Sequence, residues 1–499
     1  MYLSFAEIKS RITSGTADPT AEAAESSDVP ESDDHGRGPA DRSTARKTSA
    51  RVSSVVIGLG IVSMFTDISS EMTAAVLPLY ITGVLGLSTI AYGFIDGLYQ
   101  GVSAAVRIAA GYAADLGDSP KWVAFFGYGI AAIARVALLF ANGFASITAV
   151  VIVDRLGKGA RTAPRDALIS ASSDPANLGR SFGVHRMLDT IGAAIGPLLA
   201  FVVLFAIPDG YQTVFVISLA FAVLGVIVLG VFVPDRRPRA EAEAAASAVA
   251  GGDADADDAP GARAAAKFRW RQLADPRLRR VLIVAGLLGL LTIGDGFIYL
   301  VLQSRGAFAA EWFPLLYVGT NVAYLAFAVP FGRLSDRVGS ARVFVAGHLA
   351  LLGAYVVAAV PASGIGVTVL CLALLGVFYA ATDGVLAALA STSVPVESRA
   401  TGIASAQTVV ALTRLIASTG FGVLWFAIGR AEAMTVVAVA LAVAIPVAAW
   451  VLLRTGRRRG GDETRGDGDG DGDADGDAAA DGEQSNGSGA RPDALELET

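Results

Sequence analysis

Two long apolar runs in this chain end in the same short pattern. Gly111-Tyr-Ala-Ala-Asp115-Leu-Gly117 closes one, and Gly332-Arg-Leu-Ser-Asp336-Arg337-Val-Gly339 closes the other. Apolar stretches of about 20 residues recur along the chain, the length an α-helix needs to cross about 30 Å of hydrocarbon. Backbone inside a bilayer must satisfy its own hydrogen bonds, so a chain of such runs folds as a helix bundle. A Gly-x-x-x-Asp turn at matching places in two halves reads as a duplication. Two related bundles with a cleft between them are the architecture of secondary transporters.

The spans are expected, with boundaries good to a few residues, at 53–82, 89–113, 122–141, 145–169, 182–206 and 211–233 in the first half. In the second half they fall at 280–302, 311–333, 341–360, 365–390, 400–427 and 432–453. The fold class is therefore all-α membrane protein, twelve transmembrane helices in two pseudo-symmetric six-helix bundles, residues 51–233 and 280–453. The segment 234–279 is too polar to span and reads as a cytoplasmic linker, whose end Lys267-Phe-Arg-Trp-Arg271 suits a membrane surface. Residues 1–50 and 454–499 read as disordered cytoplasmic tails. The first lacks the apolar core of a cleaved signal peptide.

The net charge of -7 comes from those tails, because the remainder is mildly basic. The Asp/Gly alternation after Asp462 has a calcium-loop start at Asp471-Gly-Asp473-Ala-Asp475-Gly476. Gly482 stands where that loop needs its last acid, so a solvated acidic tail is the simpler reading. Arg236, Arg237, Arg239, Arg277, Arg279, Arg280, Arg337 and Arg342 fall in loops on one side, with Arg454, Arg457, Arg458 and Arg459 after the last span. The positive-inside rule then places both termini in the cytoplasm. All five tryptophans lie near expected span ends, as an interfacial belt requires.

The repeated turn resembles the signature between the second and third spans of the major facilitator superfamily. The second copy fits at Gly332, Leu334, Ser335, Asp336, Arg337 and Gly339. The first keeps Gly111, Ala114 and Asp115 but has Leu116 where a base is expected. The resemblance implies that these are cytoplasmic gating loops, whose Asp and bases bond neighbouring helix ends in one transport state. Arg155 and Gly159 match the superfamily's Arg-x-x-x-Gly element, in which the arginine is linked to proton handling. Gly183, Gly192, Gly196 and Pro197 resemble the antiporter motif of its drug:proton exporters, although Ala200 and Phe201 replace two further glycines. Phe65-Thr-Asp67-Ile-Ser-Ser-Glu71-Met72 and Pro164-Arg165-Asp166-Ala-Leu are similar to an uncharacterised prokaryotic branch.

Ionisable residues inside a membrane are costly and default to functional sites. Asp67 and Glu71 lie four apart on one helix face and are placed to share a proton or a cation. Asp295 sits in the seventh span, the repeat mate of the first, so Asp67 and Asp295 are expected to face each other across the cleft. A buried carboxyl favours its neutral form, which lets it load and unload a proton near neutral pH. The proton-coupling candidates are Asp67, Asp295, Glu71 and Arg155. Asp96, Gln100, Asn321 and Asp383 are candidates for the substrate cleft. The plain structural alternative for Asp67 is a salt bridge to Arg107, Arg135 or Arg414. Arg155, Lys158, Arg161 and Arg165 share an arc of about 120° at 100° per residue, so this stripe faces the bundle interior or its mouth. Asp189 is placed to neutralise one of its arginines.

The leading reading is a proton-coupled exporter of small organic or drug-like solutes in the plasma membrane, working by alternating access. The alternative is a proton- or sodium-coupled importer of a small metabolite. A receptor or scaffold acting through the tails lacks a partner motif. No catalytic residues are expected, since the sequence has no Gly-x-Ser-x-Gly elbow or phosphate loop. No cofactor, metal or nucleic acid is expected either: one cysteine and three scattered histidines do not make a metal site. The expected partners are the solute, protons or sodium, and the lipid bilayer. One polypeptide supplies both sides of the cleft, so it is expected to act as a monomer.

Overall fold

The computed structural model describes residues 52–453 except 118–119, 175–176, 236–274, 307 and 396–398, and gives no side-chain detail at 103–105, 107–117 and 400. Both tails, the basic Lys267–Arg271 segment and most of the linker lie outside the described residues. Among the described residues thirteen α-helices run in order: α1 Ser54–Leu79, α2 Thr89–Gly117, α3 Pro120–Leu138, α4 Phe144–Ala171, α5 Leu178–Ala206, α6 Tyr211–Phe232, α7 Pro276–Gly289, α8 Asp295–Gly306, α9 Pro314–Val338, α10 Ser340–Ala359, α11 Ile365–Thr392, α12 Arg399–Ile428 and α13 Arg430–Leu453. Every segment expected to span is helical, but the seventh is two helices, α7 and α8. Among the described residues nine helices are long and apolar enough to cross a membrane. Besides the short α7 and α8, only α2 and α4 fall outside that set. Asp96, Gln100, Arg107 and several glycines dilute α2, and the charged stripe from Asp154 to Asp166 dilutes α4.

Local chemistry sets the helix ends. Ser53 caps α1 by accepting from the Val55 N–H at 3.3 Å. Near the other end Pro78 removes a donor, and the chain widens into a π turn, Tyr80–Val84. Asp275 caps α7 and accepts from the Arg277 N–H at 2.7 Å, with Pro276 in the first helical position. Gly339, at φ +95°, stops α9 and lets α10 begin at once.

The repeated Gly-x-x-x-Asp elements are not loops. Gly111–Gly117 and Gly332–Val338 are the last turns of α2 and α9, because nothing in them breaks the helix. A side chain at Gly332 would meet nothing within 4 Å, so Gly339 is the glycine that the geometry requires there.

Within the first half α1 packs on α5 and α6, and α4 on α2 and α3. In the second, α11 packs on α9 and α10, and α13 on α10. The chief crossings between the halves are α2 with α12 and α5 with α9. Outward faces are apolar, with Phe126, Phe140 and Phe426 each more than three-fifths exposed, a surface suited to lipid rather than water.

The α2–α12 crossing rests on a pattern the sequence reading passed over, Gly93-x3-Gly97-x3-Gly101. Small residues four apart let two helix backbones approach closely. A Cβ at Gly97 would lie 2.6 Å from the Leu415 carbonyl oxygen, and one at Gly93 would lie 3.1 Å from the Gly422 Cα. The Thr89 hydroxyl donates to the Gly422 carbonyl at 3.1 Å.

Candidate functional site

Polar groups inside the first half form two layers. In the lower layer Asp154 accepts from Arg135 at 2.9 Å and from the Nε of its neighbour Arg155, also at 2.9 Å. All three side chains are about 95% buried or more. Arg135 also donates to the Ser69 and Ser70 hydroxyls at 3.3 and 3.2 Å, and Arg155 lies over the Tyr99 ring at 3.7 Å. Buried charges persist when paired and hydrogen-bonded. This triad ties α1, α2, α3 and α4 together, and the resemblance-derived proton residue Arg155 is one of its members. Next to it, Ser69 and Thr73 bond the Ser218 hydroxyl at 2.9 Å each, which joins α1 to α6.

The upper layer surrounds a cavity of about 320 Å³ lined by α1, α4, α5 and α9. Asp67 reaches it from α1. Its ionic partner among the described residues is Arg161 of α4, at 3.6 Å, rather than Arg135 or Arg414; the Arg107 side chain lies outside the described residues. Arg161 is further held over the Tyr128 ring at 4.5 Å. Asp189 of α5 also lines the cavity. It pairs with Arg186 on its own helix at 3.3 Å, not with an α4 arginine, and shares the cavity wall with Asp67. Lys158 lines the same wall and makes no ion pair or hydrogen bond to a described residue. One helical turn further from the triad, His185 of α5 bonds Ser63 of α1 at 3.0 Å. Arg165 donates to the same hydroxyl at 3.2 Å and is paired with Asp166 at 2.9 Å.

Close α1–α5 packing makes these contacts possible. A Cβ at Gly196 would fall 2.8 Å from the Ile68 carbonyl oxygen and the Met72 nitrogen, and Gly192 abuts the Met64 backbone. Gly183 is exposed and has nothing to pack against, so only part of the glycine series shapes this interface. Pro197 lies inside α5. Glu71, one turn beyond Asp67, is not in the cavity wall; its charged neighbours are Lys158, Asp67, Arg155 and Arg135.

Asp295 belongs to a separate cluster. The seventh segment unwinds at Leu290–Gly294. The Tyr355 hydroxyl there accepts from the Ile293 N–H at 3.0 Å and donates to the Leu291 carbonyl at 2.9 Å. Broken helices survive in a membrane only when their freed groups find such partners. Asp295 opens α8, and the Tyr379 hydroxyl lies 2.8 and 2.9 Å from its two carboxyl oxygens. Gly294 abuts the Asp96 carboxyl, which accepts from Ser418 at 2.7 Å. Asp67 and Asp295 therefore do not form one facing pair: one lines the cavity and the other is tied to α11. The Arg414 guanidinium lies 5.7 Å from the Tyr379 ring, and its Nε has no hydrogen-bond partner among the described residues. Tyr379→Phe is expected to cost about 1.5–3 kcal/mol, the usual worth of a hydrogen bond to a charged group. An unchanged thermal midpoint of the purified variant would show that Asp295 does not depend on it.

Of the remaining candidates, Asn321 lines the cavity from α9, Gln100 is half-buried on α2, and Asp383 is exposed on α11. The side chains of Gly111 and Asp115 lie outside the described residues. Asp336 and Arg337 are exposed and make no ion pair to a described residue. Lys158, Arg161, Asp189 and His185 complete the site. The α4 periodicity marked the first two, whereas only helix pairing brings α5 against Asp67.

The Major Facilitator Superfamily model matches residues 59–321 and 302–486. The chain is 28% identical over 378 residues to the uncharacterized MFS-type transporter MJ1317 of Methanocaldococcus jannaschii, covering 74% of this chain and 87% of that protein. The fold is similar to the crystal structure of the nucleoside transporter NupG, with TM-score 0.63, 15% identity and coverage of 80% of this chain and 98% of that one. It is also similar to a POT family transporter in complex with 5-aminolevulinic acid, with TM-score 0.62, 13% identity and coverage of 79% and 96%. At that identity the two structures speak for the fold alone. The family model over most of the chain, the MFS-type relative and the apolar helices show a multi-pass membrane transporter, and the chain belongs to the major facilitator superfamily.

Proposed function

We propose that this protein is a proton-coupled secondary transporter of a small organic solute, working by alternating access as a monomer in the cell membrane. In this reading α1–α6 and α7–α13 are two six-helix bundles, α7 and α8 together make the seventh span, and both termini are cytoplasmic. The observation that carries the reading is the Asp67–Asp189 carboxyl pair in the wall of a cavity between α1, α4, α5 and α9. Two carboxyl groups in one cavity wall disfavour double ionisation and so favour holding one proton between them. Arg161 competes for the same carboxylate, so proton binding and ion pairing are linked. The glycine-ladder contacts of α5 on α1, through Gly192 and Gly196, favour a second reading of coupling, solute efflux in exchange for protons.

Purified protein in liposomes with an internal pH dye tests this. The probes are tetraphenylphosphonium, uridine, 5-aminolevulinate, glutarate and glycerol 3-phosphate, each added with a proton gradient imposed. Solute-triggered proton movement is expected, and Asp67→Asn is expected to abolish it. The direction of the pH change separates exchange from co-transport. Solute movement that follows a sodium gradient and ignores protons would overturn proton coupling.

A further inference from the structure

The charges around the cavity do not balance, least of all once the carboxyl pair holds its proton. Lys158, Arg161, Arg165 and Arg186 line the wall, against the acids Asp67 and Asp189. Asp166 stands behind Arg165, and Lys158 acts on both Asp67 and Glu71. Arg135 and Arg155 are occupied by Asp154 below. His185, bonded to Ser63, and Tyr128, under Arg161, are the other polar neighbours. With Asp154 balancing only one of its two arginines, six bases meet five acids, and a proton on Asp67 or Asp189 raises the excess to two positive charges. Uncompensated charge inside a low-dielectric bundle is costly.

The excess has a definite place. Arg165 and Arg186 are held by adjacent carboxylates at 2.9 and 3.3 Å, and Arg161 by Asp67 at 3.6 Å and a ring. Lys158 alone of the four lacks an ion pair or hydrogen bond among the described residues. The same wall supplies Thr162, Thr190 and Asn321, neutral groups able to bond the rest of a polar solute.

We propose that the transported solute carries a carboxylate or phosphate group, anchored by Lys158 with Arg161, and that it binds together with the proton on the Asp67–Asp189 pair. This rests on the transport reading and names its solute class. Binding of an anion draws Arg161 away from Asp67, which then takes the proton more readily; the proton in turn leaves the cavity positive and ready for the anion. Linkage of this sign makes the two cargoes travel in one direction.

Binding is measured without transport, as the rise in thermal midpoint of the full-length purified protein. The anionic probes are glutarate, benzoate, glycerol 3-phosphate and inorganic phosphate at millimolar concentration; tetraphenylphosphonium and uridine are the comparisons. At least one anion is expected to stabilise the protein, more strongly at pH 6 than at pH 8. Lys158→Gln is expected to weaken its binding at least tenfold, with Lys158→Arg restoring most of it. A monodisperse size-exclusion profile and a cooperative unliganded transition of Lys158→Gln, whatever its midpoint, are expected and rule out misfolding. Stabilisation by the cation or uridine alone, by no anion, or by an anion equally in Lys158→Gln would each overturn the proposal. In the first case solute-triggered, Asp67-dependent proton movement in liposomes would leave the transport reading standing; its absence with every probe would remove both.

Discussion

Asp154→Ala is expected to lower the stability of the purified protein by about 3–5 kcal/mol, the usual cost of leaving a buried partner charge uncompensated. Asp154 is the shared acceptor for Arg135 at 2.9 Å and Arg155, with every member deeply buried. Its removal strands two guanidinium groups. Arg135 keeps the Ser69 and Ser70 hydroxyls and Arg155 keeps the Tyr99 ring, but neutral partners do not cancel charge. Asp154→Asn holds the shape and removes only the charge, so its loss is expected to be nearly as large. Replacing Arg135 by Gln in the Asn background is expected to recover part of it, because one stranded cation is gone. Thermal unfolding in detergent, run as a double-mutant cycle, measures this coupling directly. Additive losses in the cycle would show that the pair is not coupled, and the first half would need another explanation for its cohesion.

Gly97→Val is expected to reduce transport by about tenfold or more while sparing the fold. A Cβ at Gly97 would sit 2.6 Å from the Leu415 carbonyl oxygen and 3.1 Å from its Cα. These are backbone atoms, so no rotamer change relieves the overlap, and α2 and α12 must part. Overpacking of this kind costs about 1–3 kcal/mol. The cost falls on a contact between the halves rather than within one, so it shifts the balance of transport states instead of unfolding a bundle. Labelling of a cysteine introduced at Thr89, whose hydroxyl bonds the Gly422 carbonyl, reports the parting. The native Cys371 is buried and gives little background. Unchanged labelling and unchanged transport rate in Gly97→Val would show that the crossing tolerates a side chain.

Much of this protein was legible before any coordinates. Apolar run length located the spanning segments to within a few residues, because a span must match the bilayer and its polar flanks cannot enter it, but it gave the seventh as one helix where the structure has α7 and α8. Arg155, Lys158, Arg161 and Arg165 were visible as one stripe because 3.6 residues make a turn. Gly93, Gly97 and Gly101 were equally readable, and spacing alone would have marked them as a close crossing.

Tertiary structure decided the rest. The unwinding at Leu290–Gly294 depends on Tyr355, which lies more than sixty positions away and supplies the bonds that a continuous helix would have made itself. Asp67 meets Arg161 and Asp189 rather than Asp295, and Asp154 rather than a distant acid claims Arg155. Helical periodicity determines which residues share a face of one helix. Which face meets which, and at what height, is set by close packing of many side chains at once, and no local stretch of sequence carries that information.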